Sequence, residues 1–155
     1  MIIMEQYIQP FIQVTTAVFK ELVHCDIVPD RAYFIGKEAF LAWDISGLIA
    51  LTGEAKGLVA ISMKTATASK IASILTRLPE PPAAVIADAI GEVVNIIAGN
   101  VKKHLEEMFK IIISLPTVIR GKAHMVVIPD ERTRLLCIPF DIFDGETISL
   151  SINID

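Results

Sequence analysis

The chain has 155 residues, of which 53% are hydrophobic and 21% charged, a length that accommodates one domain with a full core. Its formal net charge of −4 argues against nucleic acid as a main partner, because phosphate binding needs a basic surface. Its apolar runs are interrupted and its start lacks the basic and apolar segments of a signal peptide, so we expect a single cytoplasmic domain over residues 1–155, neither secreted nor membrane-spanning.

The first third of the chain begins with a helical pattern. Apolar residues recur at helical spacing from Ile8 to Leu22, which predicts a helix that ends near residues 24–26, with Pro10 in its first turn. Pro29 and the aspartate after it predict a loop. A short strand is expected within residues 31–40.

The middle third predicts a hairpin and two helices. Two β-rich runs flank TGEAKG, whose glycines suit a hairpin over residues 44–63. A helix over residues 65–78 follows, with Thr65 or Thr67 as its cap. PEPP then breaks the chain, and a second helix is predicted from about Ala83 to Met108.

The last third reads as strands, in four runs: residues 111–121, 123–129, 133–140 and 146–154. The final run alternates strictly between apolar and polar residues, which predicts a strand with one buried face and one wet face. Strands on both sides of a helical pair indicate an α+β fold, with a mixed or antiparallel sheet covered by helices on one face.

The predicted helix over residues 83–108 carries an unusual polar stripe. At about 100° per residue, Asp88, Glu92, Asn95 and Gly99 align along one narrow side, and apolar residues occupy the rest. The predicted helix is therefore buried on most sides and exposed along this seam. One interpretation is a polar surface presented to a partner; the other is a glutamate that serves the helix and an asparagine in a buried contact. Gly91 and Gly99 favour close helix packing over ligand binding.

Other chemistry-bearing residues give no recognisable site. The three histidines fall in different predicted elements, without a triad pattern. Two isolated cysteines are expected to be reduced packing residues, and an acidic turn is read as a solvated loop rather than a metal site. These residues are His24, His104, His124, Cys25, Cys137, Asp141, Asp144 and Glu146. No metal-ligand spacing or phosphate-binding glycine loop is present in the sequence.

Several stretches together resemble the CheC/CheX/FliY family of bacterial chemotaxis phosphatases, most closely its CheX-like members. IQPFIQVTTAVFKEL is similar to the family's first helix, and DISGLIALTGEAKGLVAISM to its central hairpin. DAIGEVVNIIAGN, from Asp88 to Asn100, resembles the active-site helix, in which the acidic residue, Glu92 and Asn95 fit the pattern. Pro116 corresponds to the family's later proline, slightly earlier than the usual spacing. The single Glu-x-x-Asn helix is CheX-like, since CheC-like members typically carry two.

The resemblance implies a CheC-like fold and an activity, the hydrolysis of the aspartyl-phosphate on a CheY-type response regulator. Asn95 would insert into the regulator's site and orient the attacking water, and Glu92 would pair with the regulator's active-site lysine. Asp88, Gly91, Gly99, Asn100 and Pro116 would support the motif, with a structural role expected for Asp88. The chain would need no cofactor of its own, because Mg²⁺ would belong to the regulator.

The resemblance also implies a homodimer formed by pairing or exchanging strands, and an unpaired edge of the C-terminal strand would make this possible. Two other functions remain open at this point. One is a non-catalytic signalling module of the same fold that docks a regulator or another signalling protein. The other, weaker reading is a hydrolase of small phosphate esters, which the lack of metal ligands and clustered cations disfavours.

Overall fold

A computed structural model describes residues 5–35, 43–124 and 135–154. Three helices and eight strands are assigned within them. In chain order these elements are α1 (Glu5–Val18), β1 (Val28–Pro29), β2 (Tyr33–Phe34), β3 (Trp43–Gly53), β4 (Gly57–Met63), α2 (Thr65–Thr76), α3 (Ala83–Leu105), β5 (Ile111–Ile113), β6 (Thr117–His124), β7 (Leu136–Ile142) and β8 (Glu146–Ile154). A π-helical turn, Phe19–Val23, extends α1.

The described strands form one antiparallel sheet. Its order is β1-β7-β8-β4-β3-β5, with β2 also pairing with β7 and β6 also pairing with β3. β3 and β4 are the predicted hairpin, closed by the pairing of Leu51 with Gly57. The α+β prediction is confirmed, and the predicted strand runs at 111–121, 133–140 and 146–154 correspond to β5 with β6, to β7 and to β8. Most of the run at 123–129 lies outside the described residues.

The core lies between the helices and one face of the sheet. Cross-strand pairing places Ile45 beside Met63 and Ile61 beside Leu150, and all four residues are buried. The helices contribute Phe11, Ile71 and Ile90 to the same cluster. Burial of these large apolar side chains is the main term that holds helices and sheet together.

The prediction of a wet face on the last strand is wrong. Ser149, Ser151 and Asn153 alternate with the core residues of β8, yet each is 9% exposed or less. The physical reason is position, because β8 lies inside the sheet and the strands β4 and β7 flank its short polar side chains on both sides. The same pairing means that β8 is not an edge, so the C-terminal strand cannot offer the free edge expected for a dimer.

Two expectations about prolines also need correction. The described part of α1 spans Glu5–Val18, so Pro10 lies beyond the first turn and removes an N–H from the helix interior. Pro29, expected in a loop, forms with Val28 a two-residue strand against β7, which is possible because this strand lies at the edge of the sheet.

The end of the first helix agrees with prediction, since His24 adopts a left-handed conformation with φ of 54° and ends the π-helical turn. β2 falls within the strand expected at 31–40, of which residues 36–40 lie outside the described part.

The cap of α2 comes from another element. Thr65 is the first residue of α2 and Thr67 lies inside its first turn, so neither threonine is the cap. The backbone N–H of Thr65 instead donates to Oδ2 of Asp44 on β3, at 2.8 Å. This hydrogen bond is the main reason that the pKa of the Asp44 carboxyl lies below its ordinary value. Thr67 Oγ1 donates to Oε1 of Glu146 at 2.9 Å, which joins α2 to the start of β8.

Candidate functional site

α3 carries the polar stripe of Asp88, Glu92, Asn95 and Gly99. The helix runs from Ala83 to Leu105 and packs against α1, α2 and the sheet. It is long and apolar enough to cross a membrane by length and composition alone, a test that core helices of soluble proteins also pass.

Burial along α3 follows the predicted seam. Ile90, Val94, Ile97 and Val101 are buried on the side that faces the sheet. Asp88 and Glu92 are exposed, and Asn95 and Gly99 are partly exposed. The stripe therefore follows the solvent side of an otherwise buried helix.

Glu92 and Asn95 are neighbours on α3. Residues three apart on a helix have Cβ atoms about 5–6 Å apart. Within the described part of the chain, no hydrogen bond or ion pair involves the side chain of Asp88, Glu92 or Asn95. The Glu92 carboxylate can only accept when ionised, whereas the Asn95 amide can both donate and accept. The structural role expected for Asp88 is therefore not supported by a side-chain hydrogen bond to any described residue.

The turn between β5 and β6 packs against this helix at Gly91. A Cβ atom placed on the buried Gly91 would lie 3.3 Å from Cγ2 of Val118 and 3.8 Å from Cβ and Cγ of Pro116. The close packing predicted for Gly91 is therefore present. At Gly99, no described atom lies within 4 Å of such a Cβ, so the same prediction is not met there. Pro116, 24 residues after Glu92 in the sequence, lies beside the helical turn that carries it.

Asn100 occupies a different side of α3. It is partly exposed, and nine residues at about 100° each place it half a turn away from Gly91. The helix therefore separates Asn100 from the flank that meets Pro116. Of the residues singled out in the sequence, the structure brings together Asp88, Glu92 and Asn95 on one side of α3, with Pro116 packed on Gly91 at its flank.

Residues 114–116, the β5–β6 turn, are held by a set of hydrogen bonds that the sequence did not reveal. The Ser114 N–H donates to the carbonyl of Ala50, and the Ala50 N–H donates to Ser114 Oγ, both at 2.9 Å. Ser114 Oγ also donates to the carbonyl of Leu115 at 2.9 Å. Leu115 itself is 87% exposed. A serine before Leu-Pro is a weak turn signal in sequence, and its partner on β3 could not be identified from it.

A second polar group lies away from the stripe, on the sheet face opposite the core. His124 Nε2 is 2.7 Å from Ser46 Oγ, which is 2.6 Å from Ser62 Oγ. Ser46 and Ser62 are 2% exposed or less, so this chain of hydroxyl groups links three strands inside the protein. His124 is half-buried.

The remaining candidates stay apart in the structure. In the described residues, no three His, Cys, Asp or Glu side chains are grouped closely enough to hold a metal ion. Both cysteines are free, and burial raises the pKa of the Cys137 thiol. The lysine–carboxylate contact between Lys70 and Glu146, at 2.5 Å, occupies the carboxylate that ends the acidic turn. A cavity of about 260 Å³ near the start of α3 is lined by Asp44, Ile86 and Arg120 among others, but by no residue of the stripe.

Comparison with known proteins identifies the family. The family described as chemotaxis phosphatase CheX matches residues 45–141, more than half of the chain, including the stripe and Pro116. The chain belongs to the CheX family. No curated protein sequence matches it.

Solved structures agree with this assignment at the level of the fold. Chemotaxis protein CheX from Vibrio vulnificus has 24% sequence identity and a TM-score of 0.84, with 97% of this chain and 99% of that chain covered. The CheX–CheY–BeF3–Mg²⁺ complex from Borrelia burgdorferi contains a chain with 26% identity and a TM-score of 0.80, with 96% and 97% covered. FliY from Thermotoga maritima has 15% identity and a TM-score of 0.69, with 99% and 92% covered.

Proposed function

We propose that this protein is a cytoplasmic phosphatase that accelerates hydrolysis of the aspartyl-phosphate on a CheY-type response regulator. The observation that carries the proposal is the pair of the exposed Glu92 and the partly exposed Asn95, without partners among the described residues, on the helix that the CheX family match includes. The Borrelia burgdorferi relative was solved as a complex with CheY. That complex supports a CheY-like regulator as the partner.

Asn95 is the group to which we assign the chemistry. Phosphoryl transfer passes through a loose transition state, so a protein contributes mainly positioning and electrostatic stabilisation. A carboxamide can accept a hydrogen bond from an attacking water and donate another. Its action needs no change of charge, because the amide does not titrate. Asn95 would enter the regulator's site and hold a water in line with the phosphorus.

Glu92 is the group to which we assign the anchoring contact. Its exposed carboxylate would accept hydrogen bonds from the active-site lysine of the regulator, a charge-assisted pair. This lysine then stands beside the phosphoryl group while Asn95 holds the water. We assign Mg²⁺ to the regulator, which would neutralise the developing phosphoryl charge from that side of the interface.

The test is the decay of phosphorylated receiver domains from the source organism's response regulators. Each is phosphorylated with a small-molecule donor and followed with Mg²⁺ in the presence of the wild type, Asn95→Ala or Gln13→Ala. We expect Asn95→Ala to lose about a hundredfold or more of the acceleration, with an unchanged circular dichroism spectrum. Gln13→Ala removes an exposed carboxamide from α1 and should keep wild-type activity.

Wild-type activity in Asn95→Ala would contradict the assignment of the water-orienting role. Binding of one regulator without faster phosphate loss by the wild type would instead support the non-catalytic docking module. Those two results are distinct, because the first leaves an enzyme with a misassigned residue and the second leaves no enzyme.

A further inference from the structure

We propose that the β5–β6 turn is a second docking contact for the regulator, in which Leu115 packs on an apolar patch next to the phosphorylated aspartate. This inference rests on the proposed function. The turn contributes part of the binding affinity for the regulator, and the polar stripe carries out the hydrolysis. Its occupant is a receiver domain of a response regulator, since that is the partner that the stripe would engage.

The β5–β6 turn lies against the part of α3 that carries the stripe. Pro116 packs on Gly91, the residue directly before Glu92 and four residues before Asn95. β6 also runs beside the helix there, because Val118 contacts the same glycine. A partner that covers Glu92 and Asn95 from the solvent side therefore meets the β5–β6 turn on one flank of α3.

The β5–β6 turn is also held rigidly. Ser114 is bonded through both its backbone and its hydroxyl group to Ala50, and the proline after Leu115 fixes its own φ and packs on the helix. The Leu115 backbone is thus held on both sides. A partner that binds this leucine loses little backbone entropy on complex formation, which is how a preformed contact strengthens binding.

The side chain of Leu115 is open to solvent. Leu115 is 87% exposed, the highest value among the large hydrophobic residues that are exposed in the described part of the chain. A single exposed leucine is ordinary on a protein surface. A leucine that is held rigidly before Pro116, on the flank of the helix that carries Glu92 and Asn95, offers an apolar anchor near a polar site, a combination typical of binding sites.

The contact has a kinetic signature of its own. Leu115 would be bound equally in the ground state and in the transition state, so its removal should raise KM and leave kcat unchanged. Loss of one buried leucine side chain corresponds to about a tenfold to hundredfold weaker complex. Asn95→Ala would show the opposite pattern, with kcat reduced and affinity retained.

The test compares Leu115→Ser with Leu78→Ser, which removes another exposed leucine at 43% exposure beyond the end of α2. Two readouts are measured on the full chain: kcat and KM for phosphorylated receiver domains, and Kd for the same domains activated with beryllofluoride. We expect Leu115→Ser to raise KM and Kd about tenfold or more with unchanged kcat. Leu78→Ser should match the wild type in all three.

The outcomes separate this inference from the proposed function. Wild-type KM and Kd in Leu115→Ser overturn the docking role of the turn, whether or not the protein is a phosphatase. A wild type that binds a receiver domain through Leu115 without accelerating phosphate loss supports the docking role and overturns the proposed catalysis. A wild type that binds no receiver domain overturns both.

Discussion

Glu92 and Asn95 are one helical turn apart, but we expect one to contribute to binding of a partner and the other to the reaction. A carboxylate that pairs with a lysine stabilises the bound complex and so lowers KM. An amide that positions water stabilises the transition state and so raises kcat. The two side chains should therefore separate in kinetics, although both lie on the same exposed seam.

Glu92→Gln tests this separation at the residue scale. We expect KM to rise about tenfold to a hundredfold, because a hydrogen bond to a charged group is lost, while kcat changes little. The wild-type KM should also increase more steeply with salt than that of the variant. Steady-state kinetics at two ionic strengths measure both effects. Glu80→Gln, at an exposed glutamate before α3, is the matched control, and an equal effect in both variants would contradict the anchoring role.

At this scale, the sequence predicts contacts along one helix better than contacts between elements. The spacing of Asp88, Glu92 and Asn95 predicts their common side because helical geometry is local. The packing of Gly91 on Pro116 involves residues 25 positions apart in sequence, which only the resemblance connected. The hydrogen bonds between Ser114 and Ala50 span 64 residues. No local pattern identifies such a pair, so the rigid turn beside the stripe was not predicted.

At the scale of elements, α2 depends on a carboxylate from a neighbouring strand. Asp44 accepts the first N–H of α2, and this hydrogen bond lowers the carboxyl pKa below its ordinary value of 3.8. A group with a lowered pKa in the folded state stabilises the protein above the ordinary value. That stabilisation is lost as the pH falls through the lower, folded-state value.

Asp44→Ala should therefore lower Tm at neutral pH, and its difference from the wild type should narrow as the pH falls below 3.8. Thermal unfolding followed by circular dichroism over a pH series measures this difference. Asp26→Ala, which alters an exposed carboxylate outside the helices, is the control. A Tm difference for Asp44→Ala that does not change across the series would contradict a cap made by the ionised carboxylate.

The elements themselves could be predicted where their pattern is local. α3 and the β3–β4 hairpin follow from helical periodicity and from paired glycines, and both are present near the expected bounds. The cap of α2 and the burial of both faces of β8 depend on which strands become neighbours. Period-2 alternation in β8 correctly separates its two faces, but it does not state how much of the second face is covered.

For the whole molecule, the sheet decides where a second copy could bind. β8 is paired on both sides, and β1 and β2 are only two residues long. β6 has eight residues and pairs with β3 on one side. In the part of the chain that the structure describes, the other edge of β6 pairs with no strand. We therefore propose that the homodimer implied by the family forms through the outer edge of β6.

Ile119→Lys tests this interface. Ile119 is 42% exposed on β6, and a lysine on an edge strand opposes pairing with another strand. We expect the wild type to sediment as a dimer and the variant as a monomer. Ile74→Lys, at 37% exposure on α2, should leave the dimer intact. A monomeric wild type would contradict the dimer, and a dimeric Ile119→Lys would place the interface elsewhere.

The overall class of the fold could be predicted because strands on both sides of a helical pair restrict the choice of architecture. The order of strands could not, since β8 pairs with β4 although 82 residues lie between the end of β4 at Met63 and the start of β8 at Glu146. This long-range order also determines which strands become edges. The homodimer therefore stays a prediction, whereas the free edge expected for the C-terminal strand is wrong because β8 is paired on both sides.

The division of α3 into a buried side and an exposed stripe has a practical consequence. Because Asn95 is not among the core residues of the helix, its amide can be removed without opening a cavity. The altered protein would keep the complete surface for a regulator and lose only the reaction. Produced in a cell beside the wild type, it would compete for phosphorylated regulators, so that the phosphate would persist longer than with the wild type alone.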